Sequence, residues 1–153
     1  MDDAKFRRVT EDFWVAPQLA EEDFARIAAL GIRTVINNRP DGEAPDQLPS
    51  AEAEAAARAA GLRYLSVPVP SGGVFPDQVA AMAEALATSE GPWLAYCRSG
   101  TRSCRLWAFV AARDRHPVEI LEAAARAGYD LHDLWPTLET IHALAREPVV
   151  VGA

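Results

Sequence analysis

Within seven residues, Cys97-Arg98-Ser99-Gly100-Thr101-Arg102-Ser103 gathers one thiol, two guanidinium groups, three hydroxyls and a glycine. If the segment is a tight loop running into a helix, its backbone N–H groups converge on one point. The helix N-terminus then adds unsatisfied donors and a partial positive charge. An oxyanion is held at such a point, and a sulfur placed there is favoured as the thiolate, the form that attacks. Cys97 is thereby the candidate nucleophile and Arg102, with its planar fork, the candidate catalytic anion holder. Gly100 permits the turn, Arg98 raises the local positive potential, and Ser99, Thr101 and Ser103 supply further donors to an anion.

The competing reading is an inert cysteine buried at a strand end. A polar loop with a glycine and two arginines argues against it for Cys97. Cys104 differs, because Leu106, Trp107 and Val110 follow it on the expected helix. It reads as a core residue rather than as a resolving thiol for Cys97. Two cysteines in this chain do not make a secreted disulfide framework.

The elements around the loop alternate between strand and helix. Phe13-Trp14-Val15 reads as a strand, Ala20 to Leu30 as a helix ended by Gly31, and Ile32 to Ile36 as a β-branched strand. The turn-rich Asn37-Asn38-Arg39-Pro40-Asp41-Gly42 follows. Ser50 is placed to cap an alanine-rich helix from Ala51 to Ala60. Leu62 to Val67 is the next strand and Pro76 to Thr88 the next helix, with the breaker-rich Pro68 to Gly73 between them. Trp93-Leu94-Ala95-Tyr96 then delivers Cys97 at its carboxyl end. Ser103 to Arg113, Val118 to Ala127 and Pro136 to Arg146 make the C-terminal third helical. The expected fold is α/β, a mainly parallel sheet of four to five strands flanked by helices. Ligands of such sheets sit beyond the carboxyl ends of the strands, which is where Cys97, Asn37, Arg39 and the Pro70 to Gly73 loop fall.

With 153 residues, half of them hydrophobic, residues 1–153 are expected to form one domain. A net charge of −7 disfavours nucleic acid as a partner. Met1-Asp2-Asp3-Ala4-Lys5 lacks a signal-peptide pattern and no apolar run is long enough for a membrane span, so a cytoplasmic protein is expected. His116, His132 and His142 lack the spacing of a zinc site, and no metal or cofactor is called for. Asn37 and Arg39 read equally well as substrate contacts and as turn residues.

The loop resembles the active-site loop of rhodanese sulfurtransferases, whose Cys-x-x-Gly-x-Arg pattern is matched at Cys97, Gly100 and Arg102. The wider chain resembles the bacterial phosphatase-like domain family named after beta-lactamase hydrolase-like proteins, also labelled a sulfur transferase family. That resemblance rests on Gly31 to Glu43, on Val67-Pro68-Val69 with Ser71-Gly72-Gly73, and on Tyr96 to Ser103 with Leu106-Trp107. It implies a fold like that of dual-specificity phosphatases with Cys97 as nucleophile. Two departures bear on the chemistry. Phosphatases of this kind share Cys-x(5)-Arg, whereas Arg102 comes one residue early and Ser103 holds the arginine position; a smaller cradle suits a sulfane sulfur. The Val69 to Gly73 stretch also lacks the carboxylic acid that protonates a leaving oxygen. Asp41, and with it Glu43 and Asp77, are substitutes more simply read as turn or helix-start residues.

The sequence therefore predicts a sulfurtransferase that passes sulfane sulfur from thiosulfate or a persulfide to a thiol through a Cys97 persulfide. The alternative is a phosphoester hydrolase working through a Cys97 phosphocysteine, with Asp41 as its candidate acid. A second alternative is a non-enzymatic thiol redox or anion sensor. The expected substrate is a small sulfur-containing or anionic molecule. The resemblance implies a sulfide-oxidation setting in which a partner enzyme consumes the persulfide.

Overall fold

The computed structural model describes residues 4–147; Met1 to Asp3, read above for a leader, and residues 148–153 lie outside the described residues. Five strands, β1 (Arg7–Arg8), β2 (Phe13–Ala16), β3 (Thr34–Asn37), β4 (Arg63–Ser66) and β5 (Trp93–Tyr96), form one sheet in the order β1-β2-β5-β3-β4. All neighbours are parallel except β1, which pairs antiparallel with β2 on the edge. The helices are α1 (Asp23–Ala29), α2 (Ser50–Ala59), α3 (Pro76–Ala87), α4 (Thr101–Ala111), α5 (Pro117–Arg126) and α6 (Trp135–Arg146). No helix among the described residues is long and apolar enough to cross a membrane.

Alternation along the strands divides the core between the two faces of the sheet. Phe13, Val15, Ile36 and Ala95 face one layer with Leu106, Trp107, Ile120 and Leu138. Ala16, Val35, Leu94 and Tyr96 face the other with Phe24, Ile27, Ala53 and Ala57. A parallel sheet covered on both faces needs near-continuous apolar strands, and β5 is buried from Leu94 to Tyr96.

One strand was not foreseen and one expectation is corrected. β1 is a pair of exposed arginines with no apolar alternation, so it exists through its backbone pairing of Arg7 with Val15 and Arg8 with Trp14. Ser50 is the first helical residue and caps nothing with its side chain. Its own N–H instead donates to Oδ1 of Asp41 at 2.8 Å. A carboxylate nine residues upstream thus satisfies the helix start.

Candidate active site

The parallel register ends three strands at one level, because Tyr96 of β5 pairs with Ala16 of β2 on one side and with Asn37 of β3 on the other. The segments leaving those ends are joined by backbone hydrogen bonds. Asn38 N donates to Tyr96 O at 2.8 Å, Gln18 N to Arg98 O at 3.2 Å and Val69 N to Asn38 O at 2.8 Å. The cysteine loop is therefore clamped between the β2 and β3 loops, and the β3 loop is tied to that of β4.

Inside the loop, Gly100 adopts φ +95° as the residue preceding α4, and its N–H donates to the Cys97 sulfur at 3.1 Å. A Cβ at Gly100 would lie 2.1 Å from the Tyr129 hydroxyl, so glycine is required here for space as well as for φ. Tyr129 donates to Ser99 O at 3.1 Å and braces the turn from outside. Burial foremost pushes the Tyr129 hydroxyl up to about 12, so it stays a donor at neutral pH. Cys97 has no accessible surface. Cys104 is equally buried, in the core layer of α4, and burial followed by the nearby Cys97 pushes its thiol up to about 12.

Arg102 reaches out of the loop. Its Nη1 donates to Val69 O and to Glu43 Oε2, and its Nη2 donates to Glu43 Oε1, each at 2.8 Å. Arg39, itself nearly buried, donates through Nε to Glu43 Oε1 at 2.9 Å and through Nη1 to Gln18 Oε1 at 3.0 Å. Arg102 first and Arg39 second hold the Glu43 carboxyl well below the usual range, at about 2, against the cost of burial. In return Glu43, and after it the Cys97 sulfur, keep Arg102 charged. A guanidinium has five N–H donors. Three of those on Arg102 are engaged by Val69 and Glu43, which leaves Nε–H and one Nη2–H, the side edge of the fork, to the Cys97 sulfur, with which Arg102 also interacts, and to a ligand.

The cationic cluster expected from Arg98, Arg102 and Arg105 is smaller than the sequence suggests. Arg105 is paired with Asp133 at 3.0 Å and Arg102 with Glu43. Arg98 is exposed and, among the described residues, its side chain has no hydrogen-bond or ion-pair partner. Ser99 and Thr101 are exposed and bond to each other at 3.0 Å. Ser103 is fully buried, and its Oγ has no partner among the described residues. Asn37 is turned inward, donating to the Tyr64 hydroxyl at 2.9 Å and accepting from Arg39 N at 2.8 Å. Asp41 is engaged at the start of α2, and Asp77 is exposed on the first turn of α3. Glu43 was offered by the sequence only as a stand-in acid, and Gln18 and Tyr129 were not singled out at all. The one sequence signal was the four-residue spacing of Arg39 and Glu43.

A strand delivering a buried cysteine into a tight loop that opens a helix, with an arginine braced across the carboxyl end of a parallel sheet, is the arrangement of the phosphatase-like α/β domains. Residues 5–114 match the family model described as the beta-lactamase hydrolase-like protein, phosphatase-like domain, and the chain belongs to that family. It is 38% identical over 125 residues to a beta-lactamase hydrolase-like protein of Xylella fastidiosa, covering 80% of this chain and 29% of that one. The chain thus spans less than a third of the length of that curated relative. Among solved structures it resembles nma1982 of Neisseria meningitidis Z2491, a candidate phosphatase by its name. That likeness has 34% identity and a TM-score of 0.80, and covers 92% of this chain and 99% of the other. TpbA of P. aeruginosa, solved with pTyr bound, shares the fold at 16% identity and a TM-score of 0.66, covering 97% and 95%.

These likenesses overturn sulfur transfer through a Cys97 persulfide, since both the family and the fold are phosphatase-like. The early arginine misled because loop length was taken to set the cradle. Val69 O and Glu43, both outside the loop, fix the Arg102 guanidinium instead.

Proposed function

We propose that the chain is a cysteine-dependent phosphatase, in which Cys97 attacks a phosphoryl group and Arg102 holds two of its oxygens. The observation that carries this reading is the Nε/Nη2 edge of Arg102, which Val69 and Glu43 leave unused and which is shared with the Cys97 sulfur, itself an acceptor of an N–H from its own loop. Two parallel N–H donors match two oxygens of a phosphoryl group. In the first step the Sγ–P bond forms as the P–O bond of the ester breaks; the electron pair stays on the ester oxygen, which leaves as the oxyanion or, with a proton from solvent, as the alcohol, giving a phosphocysteine. Water then attacks phosphorus, Sγ leaves as the thiolate, and inorganic phosphate is released. Charge spreads over the equatorial oxygens in both steps, and the loop N–H groups and Arg102 stabilise it without reorganising. The name of the family and of the Neisseria structure support the same reading, as does the pTyr-bound structure of the same fold.

The test is hydrolysis of 4-nitrophenyl phosphate with acid quenching and intact mass measurement. Wild type should show turnover and a phosphoryl adduct on Cys97. Cys97→Ser should lose about a thousandfold or more, as nucleophile removal does elsewhere. Turnover that persists in Cys97→Ser, or none in the wild type with any phosphoryl donor, would sink the proposal.

A further inference from the structure

Among the described residues, the carboxyl end of the sheet offers this nucleophile no unengaged acid beside it and one spare cation. The loop after β4, Val69-Pro70-Ser71-Gly72-Gly73, has no carboxylate. Both oxygens of Glu43 are taken by arginine donors, and Oε1 accepts two of them. Asp41 receives Ser50 N, and Asp77, exposed on the first turn of α3, has no hydrogen bond or ion pair to Arg102, Glu43 or the cysteine loop among the described residues. The spare cation is Arg98. Of the four arginines at the site, Arg39, Arg102 and Arg105 are paired, and Arg98 alone stands exposed beside the nucleophile with no partner among the described residues.

A leaving group that needs no proton and welcomes a guanidinium is an anion in its own right. We infer that the substrates of this site are phosphoanhydrides, whose terminal phosphoryl goes to Cys97 while Arg98 receives the departing phosphate. This rests on the phosphatase reading above and narrows it. As the Sγ–P bond forms, the bond from phosphorus to the bridging oxygen breaks. The electron pair stays on that oxygen, which leaves as a phosphate anion. Water then cleaves the Sγ–P bond, returning the thiolate and a second phosphate, with the proton passing to product and solvent. Nothing is oxidised or reduced. An alkoxide or phenoxide leaving group, by contrast, must be protonated on departure, and a positioned acid contributes about 10²–10⁴-fold to that step.

The experiment compares kcat/KM of the full chain for four donors: inorganic pyrophosphate, ADP, 4-nitrophenyl phosphate and phenyl phosphate. Pyrophosphate or ADP should exceed phenyl phosphate by about a hundredfold, the scale of a missing acid. In Arg98→Gln the ratio of the better anhydride to 4-nitrophenyl phosphate should drop about tenfold, the worth of one charge-assisted contact. Arg98→Lys should restore most of that ratio. Preference for ADP over pyrophosphate would assign an organic diphosphate, and the reverse an inorganic one. Phenyl phosphate turned over as fast as the anhydrides, with that rate lost in Asp77→Asn, would overturn the inference by naming Asp77 the acid. So would a ratio indifferent to Arg98→Gln. Hydrolysis of 4-nitrophenyl phosphate without either anhydride sinks this inference alone, whereas no turnover and no adduct on Cys97 with any donor sinks the phosphatase reading with it.

Discussion

The two carboxylate oxygens of Glu43 accept from two different nitrogens of Arg102, each at 2.8 Å, and so fix the plane of the guanidinium from its end. The end edge of the fork is spent on the protein and the side edge is kept for a ligand. Arg39 stands behind Glu43 and leaves it bonded whatever Arg102 does.

Glu43 is therefore a positioning residue. Glu43→Gln keeps one acceptor oxygen but loses the charge and the paired geometry. Its kcat/KM for 4-nitrophenyl phosphate should fall about 10- to 100-fold, the range of a charge-assisted hydrogen bond. Vanadate should bind more weakly in parallel, because the side edge of Arg102 is no longer aimed. Tighter vanadate binding in Glu43→Gln would show instead that the carboxylate competes with the ligand.

The same pair makes a pH prediction for stability. An unpaired glutamate titrates at about 4.3, and Glu43 in the folded protein at about 2, with Arg102 the largest cause. A depressed carboxyl binds fewer protons folded than unfolded, so its stabilisation is fully present above the unfolded value. It is lost as pH falls through that window toward about 2. Urea unfolding between pH 5 and pH 2 should show a shallower loss of stability in Glu43→Gln than in wild type. Equal slopes would mean that Glu43 is not held by its arginines in solution.

Much of this was legible in the sequence, and the failures share a cause. The parallel α/β fold followed from local periodicity: β5 is found where Trp93 to Tyr96 predicts it, and α3 ends one residue short of Thr88. The cysteine loop was legible because its chemistry is contiguous. Glu43 as the partner of Arg102 was not, since 59 residues separate them and only the sheet brings their loops together. Tyr129 closing on Gly100 is hidden for the same reason. A two-residue edge strand such as β1 has no periodicity to read. Sulfur transfer was overturned by the phosphatase-like family and fold, and the anchor that makes loop length a poor guide, Val69 O, lies outside any motif.

Gly100 joins two requirements that a single substitution can separate. Gly100→Ala brings both a left-handed φ of +95° and a Cβ 2.1 Å from the Tyr129 hydroxyl. Backbone strain and overpacking each cost about 1–3 kcal/mol, so a clear fall in the thermal midpoint is expected together with loss of turnover. Gly100→Ala combined with Tyr129→Phe should recover part of the stability by removing the oxygen. It should recover little activity, because the strained turn still misdirects the N–H that meets Cys97. Recovery of both would place the whole effect in the clash.

Ser103 separates stability from activity in the opposite direction. Its hydroxyl is fully buried on the first turn of α4 with no partner among the described residues, a cost of about 1–3 kcal/mol for an unsatisfied polar group. Ser103→Ala removes that cost and leaves a void no larger than one oxygen atom. Unfolding in urea should show a gain of about 1 kcal/mol. The prediction for activity rests on this hydroxyl, one residue past Arg102 and without a partner among the described residues, turning toward charge that forms only during turnover. Turnover of 4-nitrophenyl phosphate in the same variant should fall about tenfold, the scale of one hydrogen bond to a charged group. A more stable and slower enzyme is the expected result. A variant that is less stable and equally fast would mean that the hydroxyl is bonded in the folded protein and serves packing alone.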